Sequence, residues 1–220
     1  MLSVSRDAKN IMNYITKIEQ LEKLIEDEKE ILKSVAEKFD FRCSEYYMSL
    51  IDWDDPDDPI RRAIIPNIDE LEDWGRLDPS DEHTYSVMPG MEHKYNSTVL
   101  MLVSNVCEGI CRYCFRKRLF MNPQREYLRD LPAALNYIRE HTEITNVLLT
   151  GGDPLILKPS RLEEIISQLM AIEHIHIVRI GTKMPAFNPY RIIEQPELSD
   201  LIKKYSGGRQ KIADTRNPNP

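Results

Sequence analysis

The sequence predicts an α/β chain in which an N-terminal helical region leads into an array of parallel βα units. Compact apolar runs of strand length recur at TVLMLVS (98–104), NVLLTGG (146–152) and HIVRIGT (176–182). Stretches with helical apolar spacing stand between them, and strand–helix–strand alternation builds parallel sheets with right-handed crossovers. The strand runs are almost wholly apolar, which predicts a sheet covered on both faces.

Residues 7–38 come first and read as helix. Ile11, Tyr14, Ile15, Ile18, Leu21, Leu24, Ile25, Ile31, Leu32 and Val35 recur at threes and fours with Glu and Lys between them. From Asp52 to about Met91 the composition turns to Pro and Asp, in DWDDPDDP and RLDPSDEH, and predicts turns. DWDDPDDP lacks the glycine and closing Glu of an EF-hand loop, and its prolines stiffen the backbone, so it is not assigned to calcium. A short helix is expected at 68–75, with Asn67 or Asp69 near its start. The pattern changes again near residue 97, which divides the chain into a helical and Pro/Asp-rich region, 1–96, and the βα array, 97–220.

Within the array, 129–141 reads as a helix with Leu131, Leu135 and Ile138 on one face. SRLEEIISQLMAI (160–172) carries a Ser N-cap with Glu three residues later, a capping box. Pro196 opens a helix over 196–205, and KIADT (211–215) reads as the start of a fourth strand. Functional loops in such sheets lie at the C-terminal ends of strands. Three chemically unusual segments fall there: the cysteine loop after the first strand, TGGDP after the second and RIGTK after the third. In the last of these Arg179, Thr182 and Lys183 are candidates to face a substrate, with solvated rim charges as the alternative for Arg179 and Lys183.

Composition narrows the function. At 41% apolar and 30% charged residues the 220-residue chain has the make-up of an ordinary globular protein. A net charge of −7 argues against a general nucleic-acid binder, which needs clustered Lys and Arg. No apolar run approaches the roughly 20 residues that span a bilayer. The opening MLSVSRDAKN is not a secretory signal, so a cytoplasmic location is expected. Three of the four cysteines lie within eight residues, a cluster suited to metal or redox work rather than to a disulfide framework.

That cluster is Cys107-Glu-Gly-Ile-Cys111-Arg-Tyr-Cys114. Three thiolates on one short loop suit a four-iron cluster, leaving one iron open to a substrate or cofactor. Gly109 would relieve crowding in the loop, and Arg112, Arg116, Lys117 and Arg118 would favour thiolates over thiols. A zinc site, which commonly uses two separated pairs of ligands, and a metal-free loop stand as alternatives. Cys43 or His93 would have to supply a fourth zinc ligand.

CxxxCxxC with an aromatic residue before the last Cys, after the first strand of a βα array, resembles the radical S-adenosylmethionine (SAM) superfamily. YYMSLIDWDDPDDPIRRAIIP, HKYNSTVLMLVSNVCEGICRYCFRKRLF, TGGDPLIL and RIGTKMPAFNPYRI together resemble its lysine 2,3-aminomutase family, over roughly residues 40–205. The resemblance implies a partial (β/α) radical SAM barrel behind the N-terminal helical region. It also implies a [4Fe–4S] cluster on Cys107, Cys111 and Cys114 whose open iron binds SAM. Reductive cleavage would then give a 5′-deoxyadenosyl radical for amino-group migration on an amino-acid substrate. An electron donor such as flavodoxin or ferredoxin follows as a partner. Tyr113 matches the aromatic position beside cluster and adenine, Gly151, Gly152 and Asp153 the motif that bonds the methionine amino group, and Arg116 a position near the cofactor carboxylate.

The family's aminomutases also use pyridoxal phosphate. Lys94 and Tyr95 match its phosphate contacts, whereas Thr98 stands where a second Arg is expected. The family's Schiff-base lysine falls beyond residue 220. Its barrel has six βα units, against three and the start of a fourth here, so the expectation is a truncated chain, or one completed by a partner or by homo-oligomerisation. Two other functions remain open: a catalytically incompetent fragment that binds cluster and SAM, and a zinc-stabilised structural module.

Overall fold

A computed structural model describes residues 13–73, 75–121 and 126–206, and the strand backbone of 211–214. The chain enters with β1 (Tyr14–Ile15), which pairs antiparallel with β2 (Cys43–Ser44). Between them only α1 (Glu26–Lys38) is α-helical. The expected helix over 7–38 is thus confined to its second half, and residues 7–12 lie outside the described residues. Ile18, Leu21 and Leu24 explain the difference, because they recur strictly every three residues. Backbone bonds of the i→i+3 type, Leu21 N to Ile18 O at 3.0 Å and Leu24 N to Leu21 O at 3.2 Å, bring all three into the core.

Next come α2 (Glu45–Met48), capped by Ser44, and α3 (Pro59–Ile64). Part of the Asp–Pro segment read as turn is therefore a helix start. Asp58 accepts a bond from Arg61 N at 2.6 Å, and Pro59 occupies the first turn, where its fixed φ fits and its missing N–H costs nothing. The helix expected at 68–75 is a 3-10 turn, Ile68–Leu71, capped by Asn67.

A six-stranded sheet follows. Its strands are β3 (Ser86–Met88), β4 (Met91–Tyr95), β5 (Thr98–Ser104), β6 (Asn146–Gly151), β7 (Ile177–Ile180) and β8 (Lys211–Asp214), in that spatial order. The first three run antiparallel and the last four parallel. The sheet therefore already includes two strands ahead of residue 97, turning at Pro89-Gly90, where Gly90 takes φ +80°. Among the described residues the sheet does not close, and β3 and β8 are its edges.

The connecting helices are α4 (Arg118–Met121), α5 (Leu131–Glu140), α6 (Pro159–Met170), α7 (Met184–Phe187), α8 (Tyr190–Ile193) and α9 (Pro196–Ser206). Strand alternation decides which face they cover. Val99, Met101, Val103, Val147, Leu149, Val178 and Ile180 join Leu135 and Ile138 of α5, four residues of α6 and Leu198 and Leu201 of α9 in one core. The α6 contribution is Leu162, Ile165, Ile166 and Leu169, an i, i+3, i+4, i+7 stripe worth roughly 6–12 kcal/mol before the entropy of ordering it. Leu100, Leu148, Ile177 and Arg179 point to the other face and are only half-buried. The expectation of a sheet covered on both faces is corrected: its second face is partly open. At α6 the expected Ser160 cap is also corrected. Pro159 starts the helix, so Ser160 lies inside the first turn.

A second core gathers Ile18, Leu21, Leu24, Phe41, Cys43, Met48, Ile51, Ile64 and Ile65 around Phe187 of α7, with Cys111 against it. The N-terminal region is thereby fixed beside the cysteine loop. No helix among the described residues is long and apolar enough to cross a membrane.

Candidate cofactor site

The C-terminal ends of β5, β6 and β7 surround a cavity of about 680 Å³. Cys107, Cys111 and Cys114 line one side; Gly151, Gly152, Asp153, Thr182 and Lys183 line another. The three unusual segments thus meet, as the strand-end rule predicts.

The N-terminal region pins the cysteine loop. Ile110 N donates to Arg42 O and Arg112 N to Ala63 O, each at 2.9 Å. Arg112 grips Glu70 through Nε at 2.9 Å and Nη2 at 2.7 Å, and Lys117 bonds the same carboxylate. Arg116 and Arg118 both pair with the buried Glu82, Arg116 Nε at 2.8 Å and Arg118 Nη2 at 2.6 Å. The expected role of these four cations holds only for Arg116, which lowers the Cys114 thiol against a larger opposing effect of burial. All four hold the loop to Glu70 and Glu82, and burial drives the thiols the other way, pushing Cys107 well above its ordinary value and raising Cys114. Such thiols stay protonated until a metal displaces the proton.

Among the described residues no three His, Cys, Asp or Glu side chains converge on a point that could hold a single metal ion. The three thiols border a cavity instead. Ligands of one zinc all stand about 2.0–2.3 Å from a common centre, whereas a four-iron cluster takes each thiolate on a different iron. The donor set fits the cluster. Cys43 is fully buried in the second core, with its thiol pushed up to about 12 by burial, and His93 bonds Tyr137 and Asn96 O; neither lines the cavity.

Glycine at 151 and 152 answers to the cysteine loop itself. Gly151 takes φ +117°, and a Cβ there would strike Ser104 O; one on Gly152 would strike the Val106 backbone. The approach is close because Gly152 N donates to Ser104 O at 2.6 Å and Asp153 N to Val106 O at 2.7 Å. The buried Asp153 carboxylate accepts from Thr182 Oγ1 at 2.6 and 2.7 Å, Lys183 N at 2.8 Å and Leu155 N at 2.9 Å. Burial raises its pKa against the opposing effect of these bonds.

Lys183 reaches back over the cavity. Its Nζ lies 3.3 Å from Cys111 Sγ, bonds the hydroxyl of Tyr113, and sits 4.3 Å from that ring's centre. Tyr113 is 67% exposed at the cavity edge. Arg116 Nη1 reaches Thr150 Oγ1 at 3.4 Å and also borders the cavity. Of the RIGTK candidates, Thr182 and Lys183 reach it, whereas Arg179 lies back along β7.

Lys94 and Tyr95 are not brought there. They end β4, beside the start of β5, and the cysteine loop leaves the far end of that seven-residue strand, roughly 20 Å away. Lys94 Nζ donates to Ser80 O at 2.9 Å, and Tyr95 is 66% exposed. The pair does not line this cavity, because strand direction separates it from the cysteines. Sequence reasoning also missed Glu70 and Glu82. Four cations packed into 112–118 signal a need for counter-charges, and the acidic segment before β3 supplies them.

A family profile described as the radical SAM superfamily matches residues 101–208, which hold the whole cysteine loop and both facing turns. The chain belongs to the radical SAM superfamily. It is 37% identical over 201 residues to the L-lysine 2,3-aminomutase of Clostridium subterminale, covering 89% of this chain and 48% of that protein. It is 38% identical over 200 residues to the glutamate 2,3-aminomutase of Clostridioides difficile (strain 630), covering 89% of this chain and 47% of that one. A protein of Aquifex aeolicus (strain VF5) with a provisional lysine 2,3-aminomutase name is 52% identical over 195 residues, covering 89% of this chain and 52% of its own length. This radical SAM chain spans about half the length of the curated relatives it matches.

Proposed function

We propose that the chain holds a [4Fe–4S] cluster on Cys107, Cys111 and Cys114 and binds SAM in the same cavity, as part of an aminomutase-type enzyme acting on an amino acid. The observation that carries this reading is the meeting of three thiols from one loop with the Gly151–Asp153 turn across a shared cavity. Bound there, the cluster and SAM supply one-electron reductive cleavage to a 5′-deoxyadenosyl radical.

The chain's own residues bind and orient. By the family resemblance, Gly151, Gly152 and Asp153 would hold the methionine amino group, Tyr113 would flank the cluster and adenine, and Arg116 would lie near the cofactor carboxylate. Glu70 and Glu82 hold the loop in place through their cations. A small reductant protein of the flavodoxin or ferredoxin type is the proposed electron donor.

A second reading is a chain that binds cluster and SAM without completing amino-group transfer. Thr98, standing where a second phosphate-binding Arg is expected, favours it. No step is assigned to pyridoxal phosphate.

Anaerobic reconstitution with iron and sulfide, followed by electron paramagnetic resonance with and without SAM, tests the shared core of both readings. A four-iron signal that shifts on adding SAM is expected, and Cys111→Ala should abolish it. A protein that takes up zinc and forms no cluster would overturn the assignment. Deoxyadenosine release together with a rearranged amino acid, against deoxyadenosine release alone, separates the two readings.

A further inference from the structure

We propose that Glu92 anchors a second binding subsite, one that takes the primary ammonium group of an organic amine such as an amino acid carries. Glu92 lies on β4, opposite Leu100 on β5, and borders a cavity of about 940 Å³ separate from the cysteine cavity. The residue is only 7% exposed, and its carboxylate opens onto the cavity with no hydrogen bond or ion pair to another described residue. A carboxylate at a mostly desolvated wall is stabilised by a cation that enters beside it.

Among the described residues no neighbouring cation bonds or pairs with Glu92. Glu82 and Asp78 face Glu92 from the segment before β3, and Arg116 and Arg118 face it from beyond the cysteine loop. Both guanidiniums are engaged by Glu82. Arg118 also pairs with Glu126 at 3.1 Å and Asp78 at 3.6 Å, though its Nη1 makes no hydrogen bond among the described residues. Asp78 accepts from the amides of Glu82 and His83, each at 3.0 Å. With Glu126, which also lines this wall, four carboxylates meet two guanidiniums here, and Glu92 is the one of the four that no described residue bonds.

The rest of the wall selects an organic cation over a bare ion. Val87, Met88, Pro89 and Leu102 are apolar and suit a carbon chain, while an ammonium head offers three donors to carboxylate oxygens. A hard metal ion asks for six or more oxygen ligands, and those of Glu82 and Asp78 are already held. The subsite stands on this second cavity alone and needs no bound cluster.

The test is an amide-resolved NMR titration of the full, cluster-free chain with n-butylammonium, with neutral n-butanol and with Mg²⁺. Glu92→Gln keeps the shape and removes the charge; Glu92→Asp keeps the charge and draws it back by one methylene. Butylammonium should saturate amides around Glu92 in the wild type, bind at least tenfold more weakly to Glu92→Gln, and retain more affinity in Glu92→Asp. Equal affinity in wild type and Glu92→Gln, butanol binding as tightly as butylammonium, or Mg²⁺ saturating the same amides at lower concentration would each overturn the proposal.

Discussion

The ammonium nitrogen of Lys183 lies 3.3 Å from the sulfur of Cys111, and the amide of the same residue donates to Asp153 at 2.8 Å. One residue thus joins the turn after β7 both to the cysteine loop and to the turn after β6. A cation beside a thiolate-bound cluster stabilises the electron-rich state more than the oxidised one.

Replacing that cation with a neutral side chain of similar length should therefore make the cluster harder to reduce. Lys183→Met is expected to bind a normal complement of iron and to shift the midpoint potential downward by on the order of 59 mV, a tenfold change for one electron. A redox titration followed by electron paramagnetic resonance reads it. An unchanged potential would mean that the ammonium turns away once the site is filled.

Gly152→Ala should unfold the chain at much lower denaturant. Its Cβ would meet backbone atoms of Val106, which cannot swing aside. About 2–4 kcal/mol of destabilisation is expected. Gly109→Ala should cost less, because its Cβ would meet the ring of Phe187 rather than backbone. Urea unfolding of the two variants side by side tests the order.

Glu70 makes stability sensitive to acid. Burial alone would raise its carboxyl, but bonds from Arg112 and Lys117 outweigh it and hold the group below its ordinary 4.5. A depressed folded-state pKa contributes stability that is present above the unfolded value and lost as pH falls through the folded one. Glu70→Gln should thus cost about 3–5 kcal/mol at pH 7 and flatten the stability profile below about pH 4.5. Chemical denaturation between pH 3 and pH 7 would show a profile parallel to the wild type if this assignment is wrong.

Glu92 acts in the opposite sense. Burial, reinforced by Glu82 and opposed by Arg116 and Arg118, raises its pKa to about 7. A raised folded-state pKa favours the fold below the unfolded value, and that contribution disappears as pH climbs from about 4.5 through 7. Glu92→Gln should therefore be more stable than the wild type at pH 8, by about 1–2 kcal/mol after solvent screening, and close to it at pH 4. Thermal melts at the two pH values decide it.

The parallel strands and the three loops at their ends were legible because each strand is a dense apolar run and each loop begins where that run stops. The Cys107–Cys114 spacing pointed to a metal site for the same local reason. What escaped was set by distant partners. Ile18, Leu21 and Leu24 suit a helix until Tyr14 and Ile15 pair with β2. Ser86–Tyr95 carries no run long enough to announce two strands, and it becomes sheet only by lining up beside β5. The loop cations looked like thiolate stabilisers because nothing local to them reveals Glu70 or Glu82. Lys94 and Tyr95 matched a cofactor pattern that lies just before β5, and they stand there, at the end of that strand away from the cysteines.

The links around Asp153 form a closed circuit. Val106 O takes the amide of Asp153, the Asp153 carboxylate takes the amide of Lys183, the Lys183 ammonium returns to Cys111, and the chain itself runs from Cys111 back to Val106. A tether with one route can go slack at a single point; a ring cannot loosen anywhere without distorting every other link. Strain imposed on the sulfurs is transmitted to residues more than 40 positions away in sequence. The amides of Asp153 and Lys183 thereby become built-in gauges of what happens at Cys111.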